Sequence, residues 1–194
     1  MGLPGPAGAR WSRPLLVPLL GLFTGARLNE LCQLRPDDVV IEKGIPCLRI
    51  TDEAPWQTLK TASSRRLIPL HPRLLSLGFL AFVEGKRGQE RLFAELQPDA
   101  FGYLSDAFSK HFARFLKSVE VKRPKVSFHS FRHCFEDACR AAGVERGLMD
   151  ALQGHSEGGM AARYGQGFPV ERLAEAVRSI DYPEVTLWRG GERF

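Results

Sequence analysis

Cysteine is scarce in this sequence and carries no pattern. The four present, Cys32, Cys47, Cys134 and Cys139, have neither the paired spacing of a zinc site nor the density of a small disulfide scaffold. A reducing cytoplasm is the simplest setting for them, with Cys32 and Cys47 read as core thiols among apolar neighbours. A metal hydrolase built on His129, His133 and His155 is not expected, because these histidines and the acids near them form no recognised zinc-ligand motif. Long apolar runs are missing as well. Leu15 to Phe23, behind Arg10 and Arg13, has the look of a signal sequence, but Pro18 interrupts it and it is too short to span a bilayer. It reads as a buried helix, and no membrane partner is expected. Internal repeats, low-complexity tracts and alternating strand–helix units are also lacking, and the last of these excludes a parallel sheet flanked by helices.

What is present fits one globular domain with tails. The chain has 194 residues, 44% of them hydrophobic and 25% charged, ordinary values for a protein able to bury a full core. The net charge of +5 favours a polyanionic partner only weakly, and its distribution says more. Lys110, Arg114, Lys117, Lys122, Arg123 and Lys125 face a single acid, Glu120, between positions 110 and 125. That run is either a solvated helix face or a surface that tracks phosphates.

Met1 to Ala9 is rich in glycine and proline, and residues 1–10 are expected to form a disordered or appended tail. Proline at its first turn predicts a short helix over Pro18 to Phe23. Thr24 is expected to cap the next helix, with Leu28, Leu31 and Leu34 on its buried face and Pro36 ending it. Val39 to Ile41 and Ile45 to Thr51 read as strands joined by the Lys43-Gly44 turn. A second strand pair, Thr58 to Thr61 and Arg66 to Leu70, is expected around the polar turn 62–65. Beyond Pro72 the pattern turns helical: about 73–83, 103–119, 130–142, 145–153 and 170–180. Leu104, Phe108, Phe112, Phe115 and Leu116 are spaced for one buried stripe. Strands early and helices later predict a mainly α fold with a small antiparallel β-sheet at one edge, of the α+β class.

Three segments concentrate the chemistry. His129 and Arg132 lie one helical turn apart and project from the same end of a helix beginning near Ser130. Arginine offers a planar fork of donors matched to two phosphate oxygens, and histidine can move a proton near neutrality. His155 follows Gly154 at a helix end, and Tyr164 sits between Arg163 and Gly165, an unusual place for a core tyrosine. A phenol is a poor nucleophile unless cations stabilise the phenolate. Arg27 and Arg132 could supply them if they converge on it. Lys60 reads either as an edge-strand lysine that discourages aggregation or as a hairpin-tip lysine reaching into a DNA groove.

Taken in order, Thr24-Gly-Ala-Arg27-Leu-Asn-Glu30, Lys60, His129-Ser-Phe-Arg132-His133, Leu152-Gln-Gly-His155 and Tyr164 resemble the catalytic signature of the tyrosine recombinase, or phage integrase, family. Neither Arg-x-x-Glu nor His-x-x-Arg is specific alone; five elements in order across residues 11–180 are. The resemblance implies a tyrosine-recombinase-like catalytic domain over 11–180. Tyr164 is then the nucleophile, forming a 3′-phosphotyrosyl link and freeing a 5′-hydroxyl. Arg27 and Arg132 hold the nonbridging oxygens, His155 donates a further hydrogen bond, His129 serves acid–base chemistry, and Lys60 protonates the leaving oxygen. Glu30, one helical turn from Arg27, supports the active-site arrangement without reacting. Neither metal nor ATP is expected, because the phosphotyrosine conserves the bond energy and clustered cations do the work of a metal.

The same resemblance implies double-stranded DNA as partner, a tetramer on DNA, and a monomer or weak oligomer without it, in the cytoplasm of a bacterium or encoded by a phage. Relatives carry a helical DNA-clamping domain ahead of the catalytic one. This chain begins almost at the catalytic helix and is expected to be a catalytic-domain fragment, or the product of a truncated gene, without that clamping domain. Glu157 to Ala162 is expected to be a mobile stretch that positions the tyrosine in an assembled complex. The helix with Val170, Leu173, Val177 and Ile180 on one face should pack on its own domain, or dock with tail 181–194 on a neighbouring subunit. Two alternatives stay open: a type IB topoisomerase with the same phosphotyrosine chemistry, and a silent DNA-binding assembly factor on the same fold.

Overall fold

A computed structural model describes residues 13–155, 167–186, 188–189 and 192–193. The first helix, α1 (Arg13–Thr24), is the apolar segment, and it is longer than expected, with Pro18 inside it instead of at its start. A proline within a helix costs about 3 kcal/mol through the lost hydrogen bond and ring clash. Burial offsets that cost: Leu16, Val17, Leu19, Leu20, Leu22 and Phe23 all lie in the core. Thr24 does not cap the following helix; its hydroxyl donates back to the Leu20 carbonyl at 2.5 Å. Helix α2 (Leu28–Cys32) is shorter than the leucine spacing suggests, and Pro36 opens a single 3-10 turn instead of ending it.

Three antiparallel strands follow: β1 (Val39–Glu42), β2 (Ile45–Ile50) and β3 (Arg66–Pro69), in that order across the sheet. Lys43 and Gly44, both at positive φ, close a two-residue hairpin with Glu42 opposite Ile45, as the turn signal predicts. The expected strand Thr58–Thr61 does not form. Arg66 pairs with Ile50 of β2, so residues 51–65 are an excursion from the sheet edge, ending in a 3-10 turn at Ala62–Ser64. Side-chain amides supply the hydrogen bonds that a strand partner would have made there.

Helices build the rest: α3 (Pro72–Ser76), α4 (Phe79–Glu84), α5 (Ser105–Ser118), α6 (Ser130–Ala141), α7 (Arg146–Gln153) and α8 (Val170–Ser179). The expected helix at 73–83 is split in two by Gly78, at φ 88°. Along α5, Leu104, Phe108, Phe112 and Leu116 are buried, but Phe115 is 50% exposed. Each step of four residues turns the row by about 40° around a helix of 3.6 residues per turn. The buried ridge follows that row and leaves Phe115 on its trailing side.

Phe108, Phe112, Phe128 and Phe131 form an aromatic cluster in which Phe128 meets Phe108 edge-on at 5.9 Å and Phe131 edge-on at 5.3 Å between centroids. The cluster locks α5 to the start of α6. Gly21 of α1 faces it so closely that a Cβ there would lie 2.7 Å from the Phe128 ring. Helix α8 packs on β3, β2 and α7, burying Val170, Leu173, Val177 and Ile180. The segment after it is tied to the same domain. His71 Nε2 lies 3.0 Å from the Ile180 carbonyl, Arg73 pairs with Asp181 at 2.8 Å, and the Tyr182 hydroxyl donates to the Leu22 carbonyl at 2.6 Å. Two short strands, β4 (Trp188–Arg189) and β5 (Glu192–Arg193), pair with each other. None of the helices described is long and apolar enough to cross a membrane.

Candidate active site

Arg132 is the centre of the site. It projects from the first turn of α6 and is only 4% exposed. Its Nη1 donates to the Gly25 carbonyl at 2.5 Å and its Nη2 to the Gln153 carbonyl at 2.8 Å. The first acceptor lies two residues before Arg27 and the second two residues before His155. One guanidinium therefore joins the start of α2 to the end of α7. Gly25 is needed for this approach: its φ is 62°, and a Cβ would stand 2.6 Å from the Phe135 ring. The Gln153 side chain completes the clasp by donating to the Arg132 carbonyl at 3.2 Å.

Arg27 stands at the head of α2, held by the acid three residues on. Glu30 accepts from the Arg27 backbone N–H at 2.8 Å and from its Nη1 at 2.8 Å. The other ion pair of Glu30 is with Arg66 of β3, Nη2 to Oε2 at 2.8 Å, and the two side chains are only 6% and 3% exposed. Burial pushes the Glu30 carboxyl up, but the Arg66 charge and the hydrogen bonds from Arg66 and Arg27 outweigh it and hold it below its ordinary value.

Among the described residues, no carboxylate forms an ion pair with Arg132. Burial, then the like charges of Arg27 and Arg66, bring it well below the ordinary arginine value, to about 10, so it is still protonated at neutral pH. His155 is lowered by burial and by the Arg132 charge, while Asp150, 3.6 Å from its Nδ1, pulls the other way. His129 is lowered by burial and by the charges of His133, Arg132 and Arg27; its ring stands edge-on to His133 at 5.0 Å. Arg27, Arg132, His129 and His155 thus share one electrostatic field. Glu30 pairs with Arg27 and Arg66, while the buried Arg132 feels Glu30 and Glu136 only at a distance, so among the described residues positive charge is in excess around it. Such a place is built for an anion.

The structure brings together Arg27, Glu30, His129, Arg132 and His155. Lys60 is exposed on the 51–65 loop and forms no ion pair with the cluster among the described residues. That loop is held at Thr58, whose N–H donates to the Gln33 amide oxygen at 2.9 Å and whose carbonyl accepts from the Gln33 amide nitrogen at 3.1 Å. Gln57 donates to buried Asp38 at 2.8 Å just before it. Tyr164 and the Glu157–Ala162 stretch lie outside the described residues. Lys110, Arg114, Lys117, Lys122, Arg123 and Lys125 are all exposed, with Lys110 paired to Asp106 at 2.8 Å. No group of three or more His, Cys, Asp or Glu among the described residues is placed to hold a metal ion.

Arg66 and Gln33 do not stand out in the sequence, and Gly25 and Gln153 lie inside the motifs without a role of their own there. The one signal there is an arginine in an otherwise apolar strand, at the position that opens β3.

A mainly helical domain with a small antiparallel sheet on one side, with two arginines and two histidines gathered at one site, is the catalytic-domain fold of tyrosine recombinases. The sequence matches the phage integrase family over residues 12–169, and the chain belongs to that family. Among solved structures it is similar to the integrase from mycobacterium phage Brujita, with a TM-score of 0.61 and 19% identity, over 90% of this chain and 54% of that one. It is similar to the Tn1549 transposon integrase in complex with circular intermediate DNA, with a TM-score of 0.53 and 19% identity over 82% and 55%. It also resembles the XerH site-specific recombinase bound to its difH substrate, with a TM-score of 0.50 and 23% identity over 75% and 40%. The chain therefore spans about half the length of these relatives or less. No curated protein sequence matches it.

Proposed function

We propose that the chain is the catalytic domain of a site-specific DNA recombinase that cuts and rejoins strands through a 3′-phosphotyrosyl intermediate on Tyr164. The observation that carries this reading is the buried Arg132, clasped by two carbonyls beside Arg27 and, among the described residues, without a carboxylate ion-pair partner. A scissile phosphate supplies the missing negative charge. Its oxygens gain charge in the pentacoordinate transition state, and guanidinium donors fixed in advance stabilise that state more than the ground state. Tyr164 attacks phosphorus, the bond to the 5′-oxygen breaks, and Lys60 gives that oxygen its proton. His155 donates to the phosphate, and His129 takes part in proton transfer around the phenol. Rejoining runs the same steps in reverse, so neither ATP nor a metal ion is called for.

Double-stranded DNA is the partner in this reading. The exposed lysines and arginines at 110–125 follow its backbone, and four copies assemble on it. The three relatives include two structures with DNA, which supports that partner. A random-sequence library of nicked duplexes tests the reading whatever the target sequence is. Denaturation after incubation should leave a covalent protein–DNA adduct that survives EDTA and vanishes in Tyr164→Phe. DNA binding with no adduct would instead favour an assembly factor. Relaxation of supercoiled plasmid by a monomer, without sequence preference, would favour a topoisomerase.

A further inference from the structure

Arg66 opens β3 and points inward, and its guanidinium reaches three separate parts of the site. Nε donates to the Leu152 carbonyl at 2.7 Å, on the last turn of α7 before Gly154 and His155. Nη1 donates to the Ser64 carbonyl at 2.7 Å, at the end of the loop that carries Lys60. Nη2 pairs with Glu30 at 2.8 Å, and Glu30 in turn holds Arg27. Gly154 gives an independent sign that this contact is built in. It lies at φ 65°, and a Cβ there would stand 2.8 Å from Arg66 Nη1, so the guanidinium lies against bare backbone. Ser64 passes the tie on, because its Oγ is 3.1 Å from the Thr61 hydroxyl beside Lys60.

We propose that Arg66 is a positioning residue that keeps the Lys60 loop, the Arg27–Glu30 pair and the His155 turn in register around the phosphate. This rests on the recombinase reading above. The geometry requires arginine, whose planar fork serves three acceptors at once, whereas a lysine ammonium on a flexible stem cannot span them. A shift of about 1 Å in groups that must meet at one phosphorus atom costs on the order of 100-fold in rate.

The test compares wild type, Arg66→Lys and Arg66→Ala in the whole chain. Arg66→Lys is the main variant: it keeps the charge and the pairing with Glu30, so the fold survives. Amide hydrogen exchange is followed over residues 58–65 and 150–155, and adduct formation on a duplex selected from the library is timed at saturating DNA. Exchange in Arg66→Lys should rise about tenfold in both segments, as when a single hydrogen bond is lost, while α1 and α5 stay as in wild type. The adduct rate should fall about 100-fold with half-saturating DNA nearly unchanged, and Arg66→Ala should fall at least as far. A wild-type rate in Arg66→Lys overturns the proposal, because charge alone then suffices. So does a lost rate with exchange unchanged in the two segments, or a loss that only follows the unfolded fraction of Arg66→Ala. Absence of adduct from the wild-type chain refutes the recombinase reading instead, and the exchange pattern then decides by itself whether Arg66 braces these segments.

Discussion

Replacing Arg132 by methionine separates its chemical role from its structural one. The substitution removes two hydrogen bonds from a charged donor, to Gly25 and Gln153. Such bonds contribute about 1.5–3 kcal/mol each, so the loss is about 3–6 kcal/mol. Against it stands the strain of holding that charge: the fall from the ordinary arginine value to about 10 corresponds to about 3 kcal/mol recovered when the charge is removed. The strain is fully present at neutral pH, where the folded guanidinium stays protonated. The net loss is about 0–3 kcal/mol, or a melting temperature lower by up to about 10 °C. Glu30→Ala should cost more, about 3–5 kcal/mol, because it leaves Arg66 charged and buried without its partner. The adduct assay should reverse the order, with Arg132→Met slower than wild type by about 1,000-fold or more. Thermal unfolding of the two variants side by side is the check. If Arg132→Met proves the less stable of the pair, Arg132 is a structural cation and the anion site has been misread.

Three further outcomes follow from the same geometry. An anion seated between Arg132 and His155 favours the imidazolium. In NMR titrations the His155 ring should therefore titrate below 6.5 in the free protein and higher with saturating inorganic phosphate; a value unmoved by phosphate would place the anion elsewhere. Glu30 is held below its ordinary 4.5, so the folded state binds its proton less readily than the unfolded chain. Its contribution is complete above 4.5 and is lost as pH falls through the folded value. The stability gap between wild type and Glu30→Gln in urea should accordingly shrink on acidification from neutrality, and a constant gap counts against the pairing. Gly25→Ala combines a left-handed backbone with a Cβ 2.6 Å from the Phe135 ring, and should destabilise the fold by about 2–4 kcal/mol. Because the Gly25 carbonyl also holds Arg132, adduct formation should slow even where the variant is fully folded; a folded variant with a normal rate would separate Gly25 from the site.

The helices from α5 to α8 were legible in the chain because one buried face repeats along each, and the Lys43-Gly44 hairpin because positive φ demands such residues. The candidate site was legible for a different reason: its ordered motifs resemble those of a known family. Residue type alone left Arg27, Glu30, His129, Arg132 and His155 each open to a packing role.

Burial and long-range pairing, by contrast, were decided only in three dimensions. Pro18 sits inside α1 because the helix is wrapped in core, an energy that local propensity does not contain. Thr58 to Thr61 forms no strand because Gln33, 25 residues earlier in the chain, takes its hydrogen bonds. Phe115 faces water because the packed row winds around α5. Arg66 has meaning only through Glu30, Ser64 and Leu152, acceptors spread over three separate segments. Sequence specifies which groups a chain can bring to a phosphate, since that depends on their chemistry alone. Which of them lose water, and which carbonyls hold them in place, depends on neighbours that only folding supplies.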